Sequence, residues 1–277
     1  MHFAPPPRTL LDLAHPINRA CVAALLLNDG QGVKLHDSSV MRNDASFTHN
    51  GQSQPYPACP WHPSRRGGLA FRMTAPGAMV AATIGNHTPP TGEMTVMVEY
   101  LPFALADYYP VVDQWNEGGN KRSWAIVVFS SGIVYAYASS DGANYREYNS
   151  NATTLVPGKP YRIIVGYPNS GGATTINING VDISTGTSGS QAYSGLFNTA
   201  QQIWFGYSPA FAGSTLGANA AIGNFRLWNR LLSLEEKVQL NVQPYIGYRV
   251  PSKMKIYAMG AGGASPAPTW RPRTIMY

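Results

Sequence analysis

The sequence predicts an all-β protein: an antiparallel β-sandwich with one short C-terminal helix and extended terminal arms. Three observations lead there. About twelve short apolar or alternating runs recur at steady spacing, separated by turn residues. Only one stretch, near the C-terminus, carries a helix signal. The composition is 44% apolar but only 12% charged, with 28 glycines among 277 residues, so a large core lies under a polar, weakly charged, loop-rich surface. One sandwich with arms accounts for this length without a second domain.

The elements follow in order. Residues 1–18 read as an arm, with Pro5-Pro6-Pro7 holding it extended. The body spans 19–245. Ala20–Leu27 is a continuous apolar run closed by Asn28-Asp29-Gly30, a buried strand. Val33–His36 and Ala45–Thr48 are short strands, and 52–67 is a proline-rich insertion. Leu69–Met73 resumes strand character. Glu93–Tyr100 alternates, with Met94, Val96 and Val98 on one face. Phe103–Trp115 reads as an aromatic loop. Trp124–Phe129 and Ile133–Ala138 form a hairpin around Ser130-Ser131-Gly132. Tyr145–Tyr148 is a strand fragment, and Tyr161–Tyr167 a strand. Thr174–Asn179 and Val181–Ile183 form a hairpin with Asn179-Gly180 at its corner, where positive φ is needed. Residues 184–200 are small and polar, and Ile203–Gly206 is the penultimate strand.

The closing strand begins at Ile222. Alternation puts Ile222, Asn224, Arg226 and Trp228 on one side and Gly223, Phe225 and Leu227 on the other, with Phe225 and Leu227 the pair expected in the core. Ser233 followed by Glu236 is a capping box, which satisfies orphan amides at a helix start. Leu234, Val238 and Val242 then mark one apolar helix face, and Pro244 ends it. Residues 246–277 read as a basic, Gly/Ala/Pro-rich arm.

The closing run Ile222…Arg226-Leu227-Trp228-Asn229-Arg230-x-Leu232-Ser233, followed by Glu235-Glu236, resembles the end of LamG-like jellyroll domains of the concanavalin A-like lectin/glucanase superfamily. His15-Pro16-Ile17-Asn18-Arg19 running into Val22–Leu27 looks like that family's opening strand, and His36-Asp37-Ser38-Ser39 like its next turn. Tyr161–Val165 and Ile176–Gly180 look like its central hairpin. The resemblance covers about 10–245 and implies a jellyroll fold. It implies much less about activity, because this superfamily contains enzymes, lectins and inert building blocks.

The chemistry narrows the choice. Glycosidases of the superfamily carry an E-x-D-x-x-E strand, and retaining hydrolysis needs two carboxyls about 5 Å apart. No such run is present, and Glu93 and Glu99 stand about 20 Å apart along one strand. There is no G-x-S-x-G elbow: Gly186-Thr187-Ser188-Gly189-Ser190 has its second glycine one place early and reads as a turn. The six histidines lack ligand spacing, and Cys21 reads as a small buried hydrophobe. The chain is therefore expected not to be an enzyme. The resemblance implies calcium as the one conceivable ion. Where the family's last strand often opens with Asp-Asp, this one has Gly223-Asn224, which leaves Asp113 and Asp141 as weak rim ligands; no cofactor is expected.

Carbohydrate contact would use exposed aromatic faces beside amides. Tyr108, Tyr109, Trp115 and Asn116, with Tyr145 and Tyr148, are the candidates. The net charge of +6 is concentrated in the tail. Arg249, Lys253, Lys255, Arg271 and Arg273 contribute five positive charges with no acid, which leaves about +1 for the rest. A nucleic-acid partner would need a basic stripe on the folded face, so none is expected. These cations with Trp270 read instead as a docking arm. No run of eighteen apolar residues predicts a membrane span, and Pro5–Arg8 argues against an export leader.

The HPINR opening and the aromatic, basic tail resemble those of tailed-phage structural proteins. That resemblance implies a virion component made in the host cytoplasm: a capsid decoration or tail accessory protein that docks on a capsid or tail protein through its arms. A lectin-like module for host surface glycans is the alternative, and a glycoside hydrolase a distant third. Self-association is compatible with all three.

Overall fold

The computed structural model describes residues 9–27, 34–49, 61–63, 69–72, 80–84, 92–105, 108–169, 172–183, 186–189, 193–199, 201–206 and 220–249. The expected docking residues Lys253, Lys255, Trp270, Arg271 and Arg273 lie outside them, as do residues 1–8.

A 3-10 turn at Pro16–Asn18 precedes β1 (Cys21–Leu25), β2 (Lys34–Leu35), β3 (Ala45–His49), β4 (Trp61–Pro63), β5 (Leu69–Arg72) and β6 (Val80–Ile84). The middle of the chain forms β7 (Met94–Pro102), β8 (Tyr108–Gln114), β9 (Trp124–Phe129), β10 (Ile133–Ala138) and β11 (Arg146–Thr154). Then follow β12 (Tyr161–Tyr167), β13 (Thr175–Ile178), β14 (Val181–Ile183), β15 (Gly186–Gly189), β16 (Ile203–Phe205), β17 (Ala220–Trp228) and the helix α1 (Leu234–Val242).

These strands make two antiparallel sheets. The first runs β14-β13-β12-β7-β17-β5-β4, with β1 also on β17; the second runs β15-β11-β10-β9-β8-β16-β6-β3-β2. The strand period of two sends one set of side chains between the sheets. Met94, Val96, Val98 and Tyr100 of β7 and Ile163, Val165 and Tyr167 of β12 meet Trp124, Ile126 and Val128 of β9 and Val134 and Ala136 of β10 in one buried cluster. Phe205 and Phe225 touch edge to face across it at 4.8 Å. Each such aliphatic side chain contributes about 1.5–3 kcal/mol by leaving water. This is the antiparallel sandwich that the strand spacing predicts.

Several expectations need correction. The aromatic loop at Phe103–Trp115 contains β8, an interior strand paired with both β9 and β16. Proline is excluded from regular interior ladders, but the register shifts between Pro110 and Val112, and that bulge accommodates it. Trp61–Pro63 and Gly186–Gly189 are edge strands rather than parts of an insertion and a turn. On β17 the register shifts between Gly223 and Arg226. Ile222 therefore joins Phe225 and Leu227 in the core instead of following Asn224.

The capping box forms as its sequence predicts: Glu236 N donates to Ser233 Oγ at 3.3 Å, and Ser233 N donates to the Glu236 carboxylate at 2.9 Å. The expected apolar face, however, points outward. Leu234, Val238 and Val242 are 42–58% exposed, while Lys237 and Leu240 are buried. Polar contacts between the helix and the first sheet fix this roll. Lys237 Nζ pairs with Asp182 at 3.0 Å, and Arg162 donates to the C-terminal carbonyls of Leu240 and Asn241 at 2.7 and 2.8 Å while pairing with Glu99.

Described residues of both expected arms, Leu11 and Ile17 on one side and Tyr248 on the other, pack against the body. Leu11, Ile17, Cys21, Ala24 and Leu26 form a second buried cluster with Met97, Ile164, Trp228, Leu240 and Tyr248 on the outer side of the first sheet. The alternate residues of β17 bind this layer. Trp228 Nε1 donates to Ile17 O at 2.7 Å, Asn224 Nδ2 to Pro244 O at 2.8 Å, and Arg226 to Ile246 O and Pro244 O at 2.9 and 3.2 Å. The Arg226 guanidinium also lies 4.4 Å over the Tyr248 ring. Cys21 is buried there, as its apolar setting predicts, and burial pushes its thiol up to about 12.

Candidate functional site

The second sheet has an outer side as well. Along β9 and β10 the residues that do not enter the core are Ala125, Val127, Phe129, Tyr135 and Tyr137. With Trp115, Tyr108 and Tyr145 they form a third cluster, every member of which comes from this sheet or its loops. The rings pack edge to face or tilted: Trp115 on Tyr137 at 5.8 Å and on Tyr145 at 5.9 Å, Tyr108 on Phe129 at 4.7 Å, and Phe129 on Tyr135 at 4.3 Å. Tyr135 and Tyr137 stack at 6.3 Å. The cluster is layered. Trp115 (1%) and Tyr137 (7%) form its base, and Tyr108, Phe129, Tyr135 and Tyr145 remain part-exposed above them.

The sheet register places polar groups beside these rings. Glu147 of β11 stands opposite Tyr137, Asn149 opposite Tyr135, and Ser188 of β15 opposite Glu147. Ser188 Oγ donates to Glu147 at 2.7 Å, and the Tyr137 hydroxyl hydrogen-bonds the same carboxylate. Burial first, then the Glu147 charge, holds the hydroxyls of Tyr137 and Tyr135 above the ordinary phenol range. Burial and the Tyr137 hydroxyl do the same for Tyr108. These hydroxyls are therefore neutral donors and acceptors at any working pH.

Two loops border the rings. Arg122 pairs with Glu117 at 3.3 Å, lies 5.8 Å over Trp115 and donates to the carbonyl of Ala143. Asn116 is engaged at both ends, donating to Gln201 Oε1 at 3.2 Å and accepting from Gly118 N at 2.8 Å. Asp141 closes its own turn. It accepts from Asn144 N, Asn144 Nδ2 and Ala143 N at 2.8–2.9 Å, and the Asn144 bonds in particular lower its carboxyl to about 2.

The six residues expected to contact a glycan are therefore split. Tyr108, Tyr145 and Asn116 are part-exposed on the outer side of the sheet or its rim. Tyr109 and Tyr148 face the opposite way, into the core between the sheets, because odd and even positions of a strand face opposite sides. Trp115 is buried beneath Tyr137, Tyr145 and Arg122, so it supports the rings and presents no face to a ligand. The weak calcium pair does not converge either: Asp113 is wholly buried and accepts from Trp115 N at 3.2 Å, and Asp141 is committed to its turn. Among the described residues no three His, Cys, Asp or Glu side chains are placed to hold a metal ion, and no helix is long and apolar enough to cross a membrane. Phe129, Tyr135, Tyr137 and Glu147 were not expected at the site. Their signal was present in Tyr135-x-Tyr137, two rings at period two whose neighbours Val134, Ala136 and Ala138 are apolar and small.

Known structures share this architecture. The binding domain of botulinum neurotoxin serotype D/C matches over 82% of this chain and 52% of its own length, with a TM-score of 0.58 at 13% identity. The binding domain of Paraclostridial Mosquitocidal Protein 1 matches over 81% and 52%, with a TM-score of 0.62 at 11% identity. The ligand-binding domain of botulinum neurotoxin serotype D, in complex with N-acetylneuraminic acid, matches over 81% and 51%, with a TM-score of 0.56 at 12% identity. The chain thus spans about half the length of these structures, and at such identities the likeness is one of fold. No curated protein sequence matches it. The sequence profile that does match, over residues 77–236 and so more than half of the chain, is a Laminin_G_3 profile, and by it the protein belongs to the concanavalin A-like lectin/glucanase superfamily.

Proposed function

We propose that this chain is a non-catalytic binding module that takes a carbohydrate on the outer aromatic side of its nine-stranded sheet. One observation carries the reading: part-exposed rings of Tyr108, Phe129, Tyr135 and Tyr145 rest on a packed base and adjoin the Glu147 and Asn149 side chains. A pyranose has an apolar face and a rim of hydroxyls, and this surface offers the complement of both. The fold resembles binding domains, among them one in complex with N-acetylneuraminic acid and one with rat synaptotagmin II, which supports binding as the class of activity. A shallow face supports modest affinity, about −4 to −6 kcal/mol, or roughly millimolar to tens of micromolar. The test is a glycan screen with titration of the hits at high protein concentration. Binding that Tyr135→Ala weakens at least roughly ten-fold is the expected result; no saccharide binding at millimolar concentrations overturns the reading.

A second reading, docking on a virion, is favoured by a different observation. The two arm roots leave the body side by side: Leu11 bridges Tyr248, and Arg249 N donates to Leu10 O at 2.9 Å. Leu10 and Arg249 thus lie side by side, as the roots of a single two-part attachment would. Purified phage particles that lack the protein, or truncation of both arms without loss of particle binding, would remove this reading.

A further inference from the structure

We propose that the aromatic side selects uncharged sugars and rejects acidic ones, with Glu147 as the residue that sets the choice. The inference rests on the carbohydrate reading above and deepens it.

Among the described residues, Asp113, Glu117, Asp141 and Glu147 are the acids on this side and its rim loops, and Arg122 and Lys121 are the cations. Arg122 is already neutralised by Glu117. Lys121 is exposed on the rim loop, where solvent screens it. Arg146 takes the opposite parity to Glu147 on β11, and its Nη2 donates to Thr187 Oγ1 at 3.2 Å. The carboxylate beside the rings is therefore not matched by a free cation among the described side chains. A carboxylate only accepts, so it pairs with a sugar hydroxyl, which donates; the carboxylate of a sialic or uronic acid would meet it as a like charge. The part-exposed Tyr135 hydroxyl supplies a further neutral partner. Ser188 Oγ, bonded to Glu147 at 2.7 Å, holds the carboxylate in place.

Glu147 is also well placed. It stands across the ladder from Tyr137, one strand from the Phe129–Tyr135 pair. A pyranose lying on Tyr135 and Phe129 would direct its equatorial hydroxyls along the sheet toward that carboxylate.

The experiment titrates the full chain with matched neutral and acidic saccharides: lactose against sialyllactose, and galacto-oligosaccharides against oligogalacturonates. Each pair is run at low and high salt. The expected result is neutral binding at least roughly ten-fold tighter than acidic binding at low salt, with a gap that narrows as salt rises. Glu147→Gln should narrow the gap further. It retains the shape and one acceptor oxygen while removing the charge, and the salt series separates the charge from the added amide donor. Because the salt series uses the unaltered protein, the inference can fail without any variant. Equal or tighter binding of the acidic partners, or a ratio insensitive to salt and to Glu147→Gln, overturns it and leaves the carbohydrate reading standing. Binding of neither class overturns both.

Discussion

The two sheets obey the same alternation, yet their outer sides differ. On the first sheet that side carries Met97, Ile164, Arg226 and Trp228, and residues 11–26, the helix and residues 244–248 close over it. On the second it carries Phe129, Tyr135 and Tyr137, and among the described residues only loops of the same sheet border it. The first side is bound down by donors aimed at carbonyls of the covering chain. The second has its polar groups arranged beside rings. One is a layer of the fold, and the other is a surface with the composition of a ligand site. A change on the covered side should therefore cost stability, and a change on the open side should cost binding.

The largest test of that division is Trp228→Ala. The variant loses a fully buried indole and leaves the carbonyl of Ile17 without its donor. Urea unfolding should show a loss of about 3–5 kcal/mol. A loss below about 1 kcal/mol would mean that the terminal segments are not an integral layer.

Gly142→Ala comes next and acts where the open side is bordered. Gly142 has φ of +79°, and a β-carbon there would lie 2.1 Å from Asn120 O and 2.8 Å from the Phe197 ring. Backbone cannot yield as a flexible side chain does, so the two rim loops must separate. A loss of about 2 kcal/mol is expected, with weaker saccharide binding because Arg122 N also bonds Gly142 O in this junction. An unchanged unfolding midpoint would show that the rim does not hold the rings.

How much of this was legible in the sequence depends on the range of the signal. Local signals held: the hairpin at Gly132, the Asn179-Gly180 corner and the Ser233–Glu236 capping box all form where short-range chemistry puts them. Signals that depend on what lies opposite did not. Leu234, Val238 and Val242 make a correct helical stripe, but Lys237 and Arg162 roll it outward through partners elsewhere in the chain. Bulges at Pro110 and Gly223 are invisible to a period-two reading, and each reverses parity for the residues beyond it. Trp115 reads as an exposed loop aromatic until Tyr137 and Tyr145, more than twenty positions on, are seen to cover it. At the site, Tyr135 and Tyr137 were legible as a pair on one face, but which face lay open was not.

Tyr135→Ala sharpens the comparison from the other side. The ring is part-exposed and stacks on Phe129 and Tyr137, so its removal should cost less than about 1.5 kcal/mol of stability. Saccharide binding should fall at least roughly ten-fold, a difference of about 1.4 kcal/mol. Isothermal titration alongside urea unfolding gives both numbers on one sample. A large stability loss with binding retained would reverse the roles assigned to the two sides.

The smallest expected effect concerns the rim and appears only in acid. The folded-state carboxyl of Asp141 sits at about 2, below its ordinary 3.8, chiefly because Asn144 donates to it. A depressed folded value means that the ionised form stabilises the fold. The contribution is fully present above about pH 4 and disappears as pH falls through about 2. Asp141 is exposed, and solvent screening limits the contribution to under about 1 kcal/mol. Asp141→Ala should therefore unfold at lower urea than the unaltered chain at neutral pH, and the two curves should converge between pH 4 and pH 2. A gap that persists undiminished at pH 2 would show that the Asp141 side chain supports the rim by packing rather than by charge, and the loop beside the rings would then be insensitive to acid.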